Sequence, residues 1–358
     1  MYPALVHPTS TSSPQSPVVA GGDPFGVHRA LEPRGSLPQP AARVDNDFSR
    51  LFEGEILLAV ETLNVDAASF RQMEEAGGDV GERVLETIRT RGKQHNPVTG
   101  SGGMLLGRVL QAPTPNPTGI APGDRVATLV SLSLTPLRVD RIKAIRPASA
   151  QLDVDGEAVL FASGSFAKMP AEMNERLALA ILDVAGAAPQ VARLVKEGSS
   201  VLVLGGGGKS GILCALEARR RAGPKGRVIA VESHAPYAED LRALGIADAV
   251  LSLDARDPVA VRAAVLAANE GREVDVSFSC VNVADTEMSA ILATRDRGVV
   301  YFFAMSTSFT KAALGAEGVG KDVDLVIGNG YAKGHADHSL ALVRDFPAVR
   351  KLFEARYT

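Results

Sequence analysis

Beyond residue 199 the chain repeats one pattern, a short and mainly apolar run followed by a longer amphipathic stretch. The runs at 201–204, 228–231, 249–253, 274–280 and 299–304 predict strands, and 323–327 predicts a last one. The stretches at 210–222, 238–244, 258–269 and 285–293 carry helical spacing, and helices at 177–183 and 190–195 lead into the series. Strands apolar on both faces, alternating with helices, require a parallel sheet with right-handed crossovers and helices on both sides. The second half is therefore expected to be a doubly wound α/β domain. The first half has another rhythm. Residues 55–63 (EILLAVETL) alternate, with Ile56, Leu58 and Val60 on one face, which predicts a strand; 65–91 reads as helical. Runs at 104–110 and 124–130 flank a Pro/Gly loop at 113–122, predicting a small barrel or half-barrel. Residues 1–24, rich in Pro, Ser, Thr and Gly, are expected to be loose. This divides the chain into a flexible segment 1–24, a β-rich domain 25–175, an α/β domain 176–332 and a helical segment 333–358, with a return of that segment to the β-rich domain as one course open to it.

Composition narrows the classes. With 46% hydrophobic and 22% charged residues and a net charge of −3, the chain is globular and has no basic excess for nucleic acid or anionic lipid. No apolar run is long enough to cross a bilayer, and the amino end lacks a cationic start with an apolar stretch. A cytoplasmic location without membrane or nucleic-acid partners is expected. The two cysteines, Cys214 in a predicted helix and Cys280 in a predicted strand, supply neither a four-cysteine zinc site nor a Cys-x-x-Cys pair and read as reduced, apolar thiols.

The chemistry is announced after the strand at 201–204. Gly206-x-Gly208-x-x-Gly211 matches the dinucleotide fingerprint in its proper context, between an apolar strand and an amphipathic helix. Gly206 permits the tight turn, Gly208 removes a side chain where backbone meets pyrophosphate, and Gly211 allows close helix packing. Lys209 and Ser210 complete the turn, whose amides and helix dipole face an anion. A triphosphatase loop is excluded because its first glycine falls on Val203. Glu232 follows the second strand, where a carboxylate accepts from the adenosine ribose and repels a 2′-phosphate. It favours NAD over NADP, with an exposed strand-end charge as the plainer reading and His234 beside it to soften the choice.

The amino half resembles the catalytic domain of the medium-chain dehydrogenase/reductase superfamily. The carriers are Val60 to Arg71 (VETLNVDAASFR), Asn96 to Gly103 (NPVTGSGG) and Gly123-Asp-Arg-Val126. The resemblance implies a Rossmann domain joined to a β-rich GroES-like catalytic domain. Zinc-dependent members carry a Cys after the first strand and a His-Glu pair where this chain has Ser101-Gly102, so the resemblance implies a zinc-independent member with no metal. His95 reads as a surface or loop histidine. Asn96 to Gly103 and five further segments, among them Leu129 to Arg138, Val281 to Met288 and Ser308 to Asp322, resemble the L-erythro-3,5-diaminohexanoate dehydrogenase family.

That narrower resemblance implies NAD-dependent oxidative deamination of a small diamino acid in lysine fermentation. Such chemistry needs a base to free the amine, an anion for the distal ammonium and a cation for the carboxylate. Asp66 is the preferred base, with a helix N-cap as an equal reading, and Glu61 is the second acid, otherwise solvated. Arg71, Ser101 and Lys311 are candidate substrate ligands; Lys311 is expected in a loop after the fifth strand, with Glu317 in the loop beyond it. Ser306, Thr307 and Ser308 offer hydroxyls to the nicotinamide carboxamide and Asn282 reaches the cofactor ribose or adenine, each with a local cap as its alternative. The strand at 323–327 is an expected sheet edge, and a homodimer across it is expected. Two rivals remain: a zinc-independent quinone or enoyl reductase, and a dinucleotide-binding module without catalysis.

Overall fold

The computed structural model describes residues 15–358 except 66, 76, 97–99, 101, 305 and 329. The chain divides into two compact units, residues 1–169 and 170–358.

The first unit is built on six strands: β1 Ile56–Asn64, β2 Met104–Gln111, β3 Arg125–Thr128, β4 Leu137–Arg146, β5 Gln151–Leu160 and β6 Phe166–Lys168, in sheet order β6-β3-β2-β1-β5-β4. All neighbours are antiparallel. Alternating β1 residues Ile56, Leu58 and Val60 are buried with Leu105, Val126, Leu152 and Val154, so one apolar face supplies the core. The longest strands, β4 and β5, form the hairpin that the hydrophobic pattern does not reveal. One face of β4 is solvated, and its Arg138, Arg141 and Arg146 pair with Glu157, Asp155 and Asp153 on β5.

The single helix expected over 65–91 is two, α1 Ala67–Glu75 and α2 Val80–Arg91. Gly77 and Gly78 stand between them at φ +73° and +86°, a backbone that ends one helix and leaves Asp79 free to cap the next. The turn-rich stretch before β1 is pinned from inside. Arg29, fully buried, donates from Nε and Nη2 to the two oxygens of buried Glu55 at 2.8 and 2.7 Å, and His28 Nε2 lies 2.8 Å from the same carboxylate. Burial opposes the charge on Glu55, yet the bonds from Arg29 and His28 outweigh it and hold its pKa below the usual value.

The second unit follows the predicted alternation closely. Its strands are β7 Ser200–Leu204, β8 Arg227–Val231, β9 Ala249–Leu251, β10 Val274–Ser279, β11 Thr294–Phe302 and β12 Asp324–Ile327, all parallel, in order β9-β8-β7-β10-β11-β12. This is the 3-2-1-4-5-6 arrangement of a Rossmann sheet. Helices α3 Glu175–Leu182 and α4 Ala187–Leu194 precede it; α5 Lys209–Ala222, α6 Ala235–Leu244, α7 Pro258–Ala268, α8 Glu287–Ala293 and α9 Phe309–Gly318 form the crossovers. Helix α9 occupies a stretch read as loop, because Gly315 and Gly318 disguise its helical spacing. The last helices, α10 His335–Asp345 and α11 Pro347–Tyr357, belong to this unit and pack on α3, α4, α5 and α6. Among the described residues no single helix is long and apolar enough to cross a membrane.

Candidate active site

The second unit's site is a backbone site. Strand β7 ends at Leu204, and four glycines turn the chain into α5, whose amides at Lys209, Ser210 and Gly211 find no acceptor among the described residues. These free N–H groups and the dipole of a 14-residue helix make the anion cradle that a pyrophosphate needs. The glycines fit that use. A Cβ on Gly211 would lie 2.0 Å from the Gly205 carbonyl oxygen, and one on Gly207 2.5 Å from Tyr237 Cβ, whereas at Gly208 it would meet nothing nearer than 3.8 Å. The turn is thus closed from below and open above Gly208, and the residues present fit a dinucleotide. Lys209 leaves the cradle sideways and pairs with Asp183, and Ser210 is half-buried in the first turn of α5.

Glu232 lies just past β8, nearly buried. Its Oε2 accepts from the Gly207 amide at 3.0 Å and its Oε1 from the His234 amide at 2.9 Å. The residue read as a ribose ligand therefore also ties the phosphate turn to the strand end, and a carboxylate has lone pairs left for a diol. Beside it opens a cavity of about 340 Å³ among Glu232, Ser233, Leu253, Asp254, Val281 and Thr286. These residues follow the carboxyl ends of β8, β9 and β10, where ligands bind in open α/β sheets. Asn282 is exposed on the loop after β10. Ser306 Oγ donates to the carbonyls of Val281 at 3.0 Å and Val283 at 3.3 Å, joining the loops after β10 and β11.

Two features here escaped the sequence. Arg356, near the end of α11, donates to the Gly207 carbonyl at 2.7 Å, pairs with Asp240 and lies 4.0 Å over the Tyr237 ring. The tail thus braces the glycine turn, a contact with no local signature. Cys280 Sγ lies 3.7 Å from Cys214 Sγ, so thiols far apart in sequence are neighbours at the base of the same turn. The contact with Cys280, together with burial, pushes the Cys214 thiol up.

Several expectations are corrected. Lys311 is in the first turn of α9, not in a loop; it is exposed and pairs with Asp285, while Ser308 caps the helix by accepting from the Lys311 amide at 3.3 Å. Glu317 is in the same helix, and exposed. Glu61, on β1, is held by Arg125 at 2.6 Å and Arg108 at 3.4 Å. With a guanidinium at each oxygen it ties β1 to β2 and β3 and is not a merely solvated acid. Asp66 and Ser101 lie outside the described residues, and of Arg71 only the backbone, within α1, is described.

The first unit has its own cavity, of about 630 Å³, between α1, α2 and residues 94–96. Gln94 and His95 line it, and each turns a buried atom, Gln94 Oε1 and His95 Nδ1, to no partner. Asn96 Nδ2 donates to Gln72 Oε1 at 3.0 Å. Burial, with Lys93 and Arg91 nearby, lowers the His95 pKa, so the ring is neutral at pH 7 and keeps an acceptor nitrogen. His95 stands in a segment without regular structure, as a loop histidine would, and forms part of a cavity wall. Among the described residues no group of three or more His, Cys, Asp or Glu gathers as a metal site would require.

With this geometry in view, comparison with known proteins becomes specific. Residues 28–170 match the model of the L-erythro-3,5-diaminohexanoate dehydrogenase N-terminal domain. The chain is 52% identical over 342 residues to the L-erythro-3,5-diaminohexanoate dehydrogenase of Acetoanaerobium sticklandii, covering 94% of this chain and 99% of the relative. The chain belongs to the L-erythro-3,5-diaminohexanoate dehydrogenase family. A second member, from Fusobacterium nucleatum subsp. nucleatum, is 49% identical over the same length and shares. Among solved structures, the CurK enoyl reductase matches at TM-score 0.53 and 15% identity, covering 82% of this chain and 79% of that one. A mycobacterial quinone oxidoreductase matches at 0.52 and 18%, covering 90% and 87%. At such identity these likenesses establish the fold, a Rossmann unit with a GroES-like unit, shared with medium-chain reductases. As a family member the chain is an enzyme, an oxidoreductase of the dehydrogenase type.

Proposed function

We propose that this dehydrogenase catalyses NAD-dependent oxidative deamination of L-erythro-3,5-diaminohexanoate, giving 5-amino-3-oxohexanoate and ammonium within lysine fermentation. The observation that carries the reading is the identity of 52% and 49% to two relatives of that name over 94% of the chain. Glu232 supports NAD, because a nearly buried carboxylate at the end of β8 resists a 2′-phosphate. Bound NAD supplies the hydride acceptor.

The chain's own task is to free the C3 amine of a proton, hold the substrate and admit one water. Asp66, directly before α1, is the proposed base, and Arg71 and Ser101 are proposed contacts to the carboxylate. An iminium carbon is already electrophilic, so the reaction is written without zinc. We place the enzyme in the cytoplasm, acting on a free small molecule without membrane or nucleic-acid partners, as a homodimer joined through the edge strand β12.

The test runs the reaction backwards. NADH oxidation with 5-amino-3-oxohexanoate is expected only when ammonium is present. Oxidation at equal rate without ammonium supports the alternative, a ketone, quinone or alkene reductase. Binding of NADH with no turnover in either direction supports a dinucleotide-binding module.

A further inference from the structure

The cavity of the first unit is a place for a hydrogen-bond donor. Gln94 is 2% exposed, lines the cavity, and its Oε1 is buried without a partner. His95 lines the same cavity with a buried, unpartnered Nδ1. Unpaired buried acceptors are costly, and two that line one cavity are explained by a donor that enters it. The charge of the wall gives the ligand's sign. Glu82 and Glu86 line it from α2, together with Asp79; Glu86 shares its charge with Arg89, 3.6 Å away in an exposed pair, and Glu82 is the nearer to a free counter-charge. Asp79 is committed to the helix cap, accepting from the amides of Gly81 at 2.7 Å and Glu82 at 3.3 Å. Arg83, the cation among the lining residues, donates to the Gly77 carbonyl at 3.0 Å. Volume agrees: about 630 Å³ suits a small-molecule ligand.

We propose that this cavity binds an alkylammonium group, with Gln94 Oε1 and His95 Nδ1 as its acceptors and Glu82 and Glu86 as its counter-charges. Resting on the function proposed above, the group is the C5 ammonium of the substrate, which keeps its charge throughout, whereas the C3 amine must lose a proton. Gln94 and His95 then select a 3,5-diamino acid over a 3-amino acid.

The test compares 3,5-diaminohexanoate with 3-aminohexanoate, which lacks only the C5 amine, by titration calorimetry on the full chain. The wild type is expected to bind the diamino acid at least ~10-fold more tightly, the worth of hydrogen bonds to a charged group. Gln94→Leu and His95→Phe are each expected to remove most of that preference while leaving 3-aminohexanoate affinity unchanged. Gln94→Glu restores an acceptor and adds charge, and is expected to keep or raise the preference; a Gln94 with a merely structural role is harmed by a buried charge at least as much as by Leu. Equal affinities in the wild type, or a preference that survives in both Gln94→Leu and His95→Phe, overturns the proposal. NADH formation in the same samples reports separately on the reaction. Turnover without discrimination sinks this inference alone, and discrimination without NADH sinks the deamination reading alone.

Discussion

The two units carry their sites in different materials. In the second unit the ligand-facing surface is backbone: free amides at the start of α5, and glycines whose missing side chains make room. In the first unit it is side chain, Gln94 and His95 presented by a segment with no regular structure, and helices α1 and α2 set by a glycine break. A backbone site depends on local sequence, since the turn needs glycines at fixed spacing. A side-chain site depends on which distant segments meet, and its residue types carry little meaning until they do. The cofactor half of the enzyme is for this reason the readable half.

This contrast can be broken at several points. The largest effect is expected away from both sites, at the Arg29–Glu55 pair. Glu55→Gln leaves the buried Arg29 guanidinium with the more distant Asp45, at 3.6 Å, as its counter-charge and is expected to cost about 3 kcal/mol in urea unfolding, the low end for breaking a buried pair. Because the folded pKa of Glu55 is lowered, its contribution is fully present above the usual glutamate range and is lost as pH falls through the folded value. The wild type should therefore lose stability on acidification more steeply than Glu55→Gln, and equal slopes would show that the pair is uncharged in the fold.

Next in size is Gly211→Ala. Its Cβ, 2.0 Å from the Gly205 oxygen, forces the turn apart, and overpacking of this kind costs about 1–3 kcal/mol. NADH affinity measured by fluorescence should fall by at least ~10-fold. Diamino acid affinity measured without cofactor should stay as it was, and if it falls in step the two sites are not separately built. Glu232→Ser tests cofactor choice. Removing the carboxylate should shift the ratio of kcat/KM for NAD over NADP by about 10-fold towards NADP, one charge-assisted hydrogen bond's worth. The smallest effect is expected for Arg356→Ala. Its link to Gly207 is partly shielded, so NADH Kd should rise about 3- to 10-fold, at the modest value of one hydrogen bond. An unchanged Kd would mean that the tail braces α6 through Asp240 and leaves the turn alone.

What could be read in advance follows the same division. The central parallel strands β7 and β8 are almost wholly buried and show as apolar runs, and the same alternation of apolar run and helix made the rest of the sheet and the phosphate turn legible. The β4–β5 hairpin was not, because the outer face of β4 is charged and cross-strand pairs such as Arg141–Asp155 become visible only once the register is set. Helix α9 was hidden by its glycines, and with it the true setting of Lys311. Glu61 looked like a free acid because its partners Arg108 and Arg125 come from β2 and β3. Gln94 and His95 had no motif at all. The brace from Arg356 to Gly207 spans most of the second unit's sequence and is equally invisible before folding.

The central claim, hydride removal from an amine-bearing carbon, has one direct measurement. L-erythro-3,5-diaminohexanoate carrying deuterium at C3 is incubated with NAD and the enzyme, and the reduced cofactor and ammonium are both assayed. The account predicts deuterium in the NADH and one ammonium released per NADH formed. Unlabelled NADH, NADH without ammonium, or no NADH at all would contradict it.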